Sequence, residues 1–417
     1  MKRSPHSIDF LRKLFSEREF FAYFTARQSA TLGFRIEDVA MAWQIYQIRH
    51  SPLDLGLIGL VLFIPQLVLA IPAGILADRA DRRIVCVTTL AAEAAGICGF
   101  AALVLLHAHS VGVYLAAVAF AGTAHAAGIP AQRSMLASIV RSHSFVKAQA
   151  ISSSAGELIA IAAPALAGAL IAISVPVALG VAVFSIGCAA AGFLLMEPQE
   201  YEHEATPLWQ AALEGVRFIF SRKVVLGAIS LDLFAVLFGG ATALLPIYAT
   251  QILHVGPAGF GALRAAPAVG AALVALLIAR RPISRHAGRT LLVCVAAFGA
   301  STIVFGISHN FVVSLVALAL TGGFDMVSVV IRSVLVQLRT PAAMRGRVGA
   351  VENIFIGASN ELGDFESGAL ASLIGTQAAV VAGGAATIAV ILICSAIFPE
   401  LRRFDRLVDG DTEERVA

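Results

Sequence analysis

Gly74-Ile75-Leu76-Ala77-Asp78-Arg79-Ala80-Asp81-Arg82-Arg83 ends one apolar run, residues 54–77, and leads into another, residues 84–106. Each run is long enough to cross about 30 Å of hydrocarbon as a helix, which takes roughly 20 residues. A short charged turn between two such runs must lie outside the hydrocarbon, because only water there satisfies its backbone and its charges. Its three arginines also set a side, since short basic loops stay in the cytoplasm.

Working outward, the same pattern recurs. Further apolar runs lie near residues 20–48, 111–138, 147–173, 175–196, 224–252, 256–279, 290–307, 311–339, 349–374 and 378–398, so twelve transmembrane helices are expected. The 417 residues are 58% hydrophobic and 14% charged with mean hydropathy +0.85, whereas soluble chains carry about 25% charged residues. Lipid is the solvent that suits this chain. A net charge of +3 leaves no basic field for nucleic acid. Cys86, Cys98, Cys188, Cys294 and Cys394 are far apart, and no CxxC or Cys/His cluster signals a disulfide framework or a metal site. No A-x-A cleavage site follows the N-terminal Met1-Lys2-Arg3, so no cleavable signal peptide is expected and the first apolar segment stays as a helix. With the N-terminus inside, 24 of the 30 Lys and Arg residues fall in cytoplasmic segments and only Arg49 in an outer loop. Both termini are therefore expected in the cytoplasm.

The longest hydrophilic stretch between spans, residues 197–223, divides the spans six and six. The expected organisation is a six-helix bundle over 1–196, a cytoplasmic linker over 197–223, a second bundle over 224–398 and a cytoplasmic tail over 399–417. Trp209, Leu213, Val216, Phe218 and Phe220 predict a short interfacial helix in the linker. The halves echo each other. Ile45-Tyr46 matches Ile247-Tyr248, Pro65 matches Pro267, Arg133-Ser134 matches Arg332-Ser333, and Glu157-Leu158 matches Glu361-Leu362, at offsets of 199 to 204 residues. Parallel repeats with a site at their interface are a recurring transporter design.

Residues 74–83 resemble the major facilitator signature G-x-L-a-D-R-x-G-R-R, placed between spans two and three as in that superfamily. Leu231-Asp232 through Gly239-Gly240, together with Asn360-Glu361 through Gly368, resemble its enterobactin-exporter-like branch, a siderophore and multidrug efflux group. The resemblance implies an all-α integral membrane protein with two pseudo-symmetric six-helix bundles. It also implies a latch, in which Asp78 caps the eleventh span, Arg79 and Arg82 support it, Glu352 is the partner and Gly74 lets the helix ends approach. The sequence departs from the signature at Asp81, where many members have Gly, and the second-half copy begins at Arg280 instead of an acid. The fifth span's Gly156, Pro164 and Gly168 resemble an antiporter element, with Ala163 and Ala167 in place of two glycines. Ordinary small-residue packing explains the same residues equally well.

Fifteen Asp, Glu and Arg residues fall inside the spans. Each costs about 2.5–3.5 kcal/mol or more in lipid, so each needs a partner, water or a function. In the major facilitator fold the third helix of each triplet is peripheral, and Glu93 alone of the fifteen lies on such a helix. Candidate cavity and proton-coupling residues are Asp38, Glu157, Asp232, Asp325, Arg332, Glu361 and Asp364. Arg35 and Asp38 share a face and are expected to neutralise each other. Glu157 and Glu361 fall near mid-membrane; Glu361, one turn from Asp364, is the expected primary proton site, with Arg332 as its switchable counter-ion. His50, His107, His109, His254 and His309 sit at outer edges, as polar loop residues or as sensors of external acid.

These readings predict a secondary active transporter, a proton-coupled antiporter exporting a small organic compound of the siderophore or drug class by alternating access. Partners are that substrate, protons and the bilayer; the chain is expected to act as a monomer in a bacterial inner membrane, with no cofactor and the proton gradient as energy source. An importer or facilitator, a lipid translocator and, at greater distance, a membrane receptor are the alternatives. No P-loop, nucleophile elbow or metal-ligand set points to an enzyme.

Overall fold

The computed structural model describes residues 14–140, 142–198, 208–281, 286–341 and 344–403. The first part of the amphipathic N-terminal stretch, Arg141, the acidic linker residues Glu200 to Glu204 and the tail after Arg403 lie outside the described residues. Among the described residues every regular element is helical and there is no strand. In the first half run α1 (Arg18–Arg49), α2 (Pro52–Arg79), α3 (Arg82–Leu105), α4 (Val111–Ile139), α5 (Ser142–Ile173) and α6 (Val175–Leu194). A linker helix, α7 (Leu208–Ser221), precedes α8 (Lys223–Phe238), α9 (Gly256–Arg280), α10 (Ala287–Ile307), α11 (Phe311–Arg339), α12 (Arg345–Ile374), α13 (Thr376–Ile397) and the short α14 (Pro399–Arg403).

Among the described residues ten helical segments are long and apolar enough to cross a membrane. The other two positions of the expected twelve are filled by α1 and α12, of 32 and 30 residues. Both are long enough, at about 1.5 Å per residue, but rich in charge. That charge is the first structural sign of where the polar work is done.

The chain divides into two compact units, residues 1–49 with 64–208, and residues 50–63 with 209–417. The start of α2 therefore groups with the second unit, where a simple division at the linker places it in the first. In the first unit α1 packs on α5 and α6, and α3 packs on α4 and α6. In the second, α8 packs on α12 and α13, and α10 packs on α11 and α13. Backbones approach closely where side chains are smallest. A methyl at Gly270 of α9 would lie 1.7 Å from the Ala319 carbonyl oxygen of α11, and one at Gly322 of α11 would lie 1.9 Å from that of Pro267. Only glycine permits this contact, the usual device for joining helices in lipid.

The turn after α2 explains its own departure from the signature. Asp81 is the N-cap of α3, its side chain accepting from the Arg83 backbone N–H at 2.9 Å. Arg82 Nε donates to the Ala77 carbonyl at 3.4 Å, and Arg83 donates to the Met196 carbonyl at 3.0 Å. Two of the arginines thus cap helix C-termini, where cations are favoured. The linker helix also forms: Ile219 is fully buried, and Glu214 pairs with Arg347 at the start of α12.

Candidate functional site

The expected seventh span is not one helix. α8 stops at Phe238, and the chain continues as Gly239-Gly240, a 3-10 turn (Ala241–Leu244), one α turn (Leu245–Ile247) and a π turn (Tyr248–Ile252). The Ala241 N–H donates to the Gly239 carbonyl at 2.7 Å across Gly240, whose φ of −66° and ψ of 47° make a tight inverse γ-turn. Such a turn strips carbonyls of their helical partners. They are covered by glycines: a methyl at Gly363 of α12 would lie 2.9 Å from the Leu237 carbonyl oxygen, and one at Gly383 of α13 would lie 2.2 Å from that of Phe238. Non-helical backbone at membrane depth survives only where protein or a cavity lines it.

Here there is a cavity. About 180 Å³ opens beside the break, lined by Gly239, Gly240, Thr242, Pro267, Phe298, Asp325, Asn360 and Asp364 among others. Thr242 Oγ1 donates to Asp364 Oδ1 at 3.4 Å, and Arg264 donates to the Thr242 carbonyl at 3.1 Å. Asp325 also lines a pocket of about 10 Å³ that it shares with Asp232 and Ser328. Asp232 is the partner of Arg332, at 3.2 Å, and the second terminal nitrogen of Arg332 reaches Glu352 at 2.9 Å. Arg332 and Glu352 line a third cavity of about 540 Å³ with Ser333, Gln337, Arg345 and Asn353. Ionisable groups therefore line three neighbouring cavities of the second unit: Asp364 and Asp325 the first, Asp325 and Asp232 the second, Arg332 and Glu352 the third.

Helical spacing produces this arrangement. On α12, Glu352, Ile356, Asn360 and Asp364 are four apart, so each stacks about one turn above the last; the first two line one cavity and the last two another. On α11, Asp325 and Arg332 are two turns apart, and Asp232 on α8 lies two turns before the break at Gly239. The Arg332 side chain is 3% exposed, so an isolated charge there would be untenable and the two carboxylates are what make it bearable.

The sequence-predicted residues are placed as follows. Asp232, Asp325, Arg332, Asp364 and Glu352 come together in the second unit. Both terminal nitrogens of Arg332 are engaged by Asp232 and Glu352, instead of by Glu361 as expected, because those two stand opposite it on α8 and α12. Glu361 is half-buried, about 100° round the helix from the cavity residue Asn360. In the first unit, Glu157 is exposed on α5, while Asp38 is half-buried next to the buried Glu37. Gly74 lies in the last turns of α2, Asp78 and Arg79 are exposed at its end, and Arg82 opens α3. Thr242, Asn360 and the break itself were missed. The adjacent glycines 239 and 240 were the available signal, hidden by the apolar run around them.

A family model described as "Transmembrane secretion effector", a major facilitator group, matches residues 14–412. The chain belongs to this family. It is a multi-pass membrane transporter of the major facilitator type and not an enzyme. The enterobactin exporter EntS of Citrobacter koseri is 27% identical over 406 residues, covering 92% of this chain and 93% of that one. Its Escherichia coli O1:K1 counterpart is also 27% identical, over 408 residues and the same shares of both chains. Among solved structures, the fold is shared with a nucleoside transporter, NupG, at TM-score 0.72 and 11% identity, covering 90% of this chain and 100% of that one. A bacterial homologue of the iron transporter ferroportin matches at TM-score 0.69 and 13% identity, covering 93% and 99%.

Proposed function

We propose that this transporter is a proton-coupled antiporter that exports a small organic compound by alternating access from the cytoplasm of a bacterium. It works as a monomer in the inner membrane with both termini cytoplasmic, and the proton gradient is its only energy source. The observation that carries the reading is the cavity at the α8 break, with Asp325 and Asp364 in its wall and further charged groups lining the two neighbouring cavities. The relatives named as enterobactin exporters support the outward direction. The acid-lined wall favours cationic or amphipathic cargo over a trianionic siderophore. At about 180 Å³ the cavity is smaller than the roughly 300–1,000 Å³ of drug-sized sites, so it serves as a subsite and proton station within a larger binding region.

In this reading Asp364 and Asp325, which line the cavity, carry the coupling proton in place of Glu361. The test is transport by purified protein in proteoliposomes across a panel of cationic, neutral and anionic compounds, with and without a pH gradient. Asp364→Asn is expected to abolish gradient-driven accumulation while retaining substrate counterflow. Substrate that only equilibrates whether or not a pH gradient is applied, or that accumulates only on the side corresponding to the cytoplasm, would replace this reading with a facilitator or an importer respectively.

A further inference from the structure

The first unit holds an ionisable cluster that the proposed coupling does not use. Glu37 of α1 is 5% exposed and Glu93 of α3 is 1% exposed. The two side chains are neighbours where α1 packs on α3. Glu37 Oε2 and Glu93 Oε2 are both buried with no hydrogen-bond partner. Carboxylates are acceptors only, so two of them facing each other in a dry interior repel and leave both oxygens unsatisfied. One proton cures both defects: it removes a charge and turns one carboxyl into a donor to the other.

A third member connects the pair outward. His125 of α4 has Nδ1 3.1 Å from Glu93 Oε1, and its side chain is 23% exposed where that of Glu93 is 2% exposed. The imidazole is held flat against Phe34 of α1, with ring centroids 3.8 Å apart and planes 12° from parallel. Phe34, Glu37 and Asp38 lie three and four residues apart and share one face of α1. The other charged groups around the pair are few. Asp38 sits beside Glu37, α6 contributes no Asp, Glu, His, Lys or Arg, and Glu157 of α5 is exposed. Among the described residues no set of His, Cys, Asp and Glu is arranged to hold a metal ion.

We propose that Glu37 and Glu93 form a proton-binding site in the first unit, sharing one proton between their carboxyls, with His125 as the group through which that proton is loaded and released. Glu93, the one acid on a peripheral helix, is there because its partner is on α1 and its outlet on α4. The site stands whether or not transport is proton-coupled, so the two ideas fail separately.

Infrared spectroscopy of the purified protein at neutral pH tests it. Isotopic labelling of glutamate carboxyls in the wild type should shift a protonated-carboxyl carbonyl band, which identifies it as Glu without any substitution. Glu37→Gln and Glu93→Gln should each remove that band. His125→Phe should keep the band and slow its deuterium exchange several-fold. Absence of a glutamate-derived protonated band from the wild type would overturn the proposal, as would its persistence in both Gln variants. Exchange in His125→Phe as fast as in the wild type would overturn the role of His125. A band present without gradient-driven transport would uphold this site and remove the coupling reading, and gradient-driven transport without the band would do the reverse.

Discussion

Arg332 shows how much rests on one buried charge. Its two terminal nitrogens are spent on Asp232 and Glu352, and its Nε has no hydrogen-bond partner. Removing one partner from a buried ion pair costs about 3–5 kcal/mol, because the survivor stays charged and desolvated. Arg332→Met is therefore expected to lower the melting temperature sharply in detergent, and adding Asp232→Asn should recover part of the loss. The outer-edge histidines carry a different lesson. His50, His107 and His254 each have φ of 53°, in the left-handed region, within two residues of the end of a helical segment. Glycine is the residue that helices usually place there, and a side chain in that conformation costs about 1–2 kcal/mol. Thermal melts should rank His107→Gly above the wild type and His107→Val below it. That structural duty, invisible without the backbone, accounts for three of the five histidines without any acid sensing.

At the scale of elements, helical periodicity made some of the site readable. The four-residue spacing of Asn360 and Asp364 on α12 and the seven-residue spacing of Asp325 and Arg332 on α11 can be read from the sequence, since residues four or seven apart lie close on one side of a helix. Which face meets which is set by packing across helices, so the Asp232–Arg332–Glu352 triad and the Glu37–Glu93 contact were not legible. The α8 break was concealed for a different reason. A window of apolar residues reads the same whether its backbone is helical or turned, and the 30 residues Lys223–Ile252 qualify as one span by composition. The glycines that cover the break give it a test. Gly363→Val should separate α12 from the Leu237 carbonyl, lowering both stability and transport several-fold. Gly187→Ala, inside α6 with nothing within 4 Å of the added methyl, should leave transport intact and gain about 0.5–1 kcal/mol of helix stability. Equal effects of the two substitutions in melts and transport would deny the break its special packing.

For the whole molecule, fold class was the most legible property, because hydrocarbon thickness, helix rise and loop charge constrain it jointly. The signature turn after α2 belongs to this scale. Arg82, Arg83 and Asp81 have local capping duties, which leaves the exposed Asp78 and Arg79 with no structural task visible in their own turn. Asp78→Asn is expected to melt like the wild type and to slow transport several-fold, as a residue engaged only in switching would. Unchanged turnover in proteoliposomes would remove the latch role.

The interrupted α8 also bears on how the protein is made. Its regular part has 16 residues, about 24 Å of helix, too short to cross the hydrocarbon alone. The insertion machinery responds to composition, and residues 223–252 satisfy it as a single segment. The glycines that shelter the exposed carbonyls arrive more than a hundred residues later, on α12 and α13. The nascent chain must therefore hold an unfinished segment in the bilayer until its last membrane helices are synthesised. Chains ending after α11 should insert with normal topology yet be cleared by membrane proteases, whereas chains that include α13 should persist.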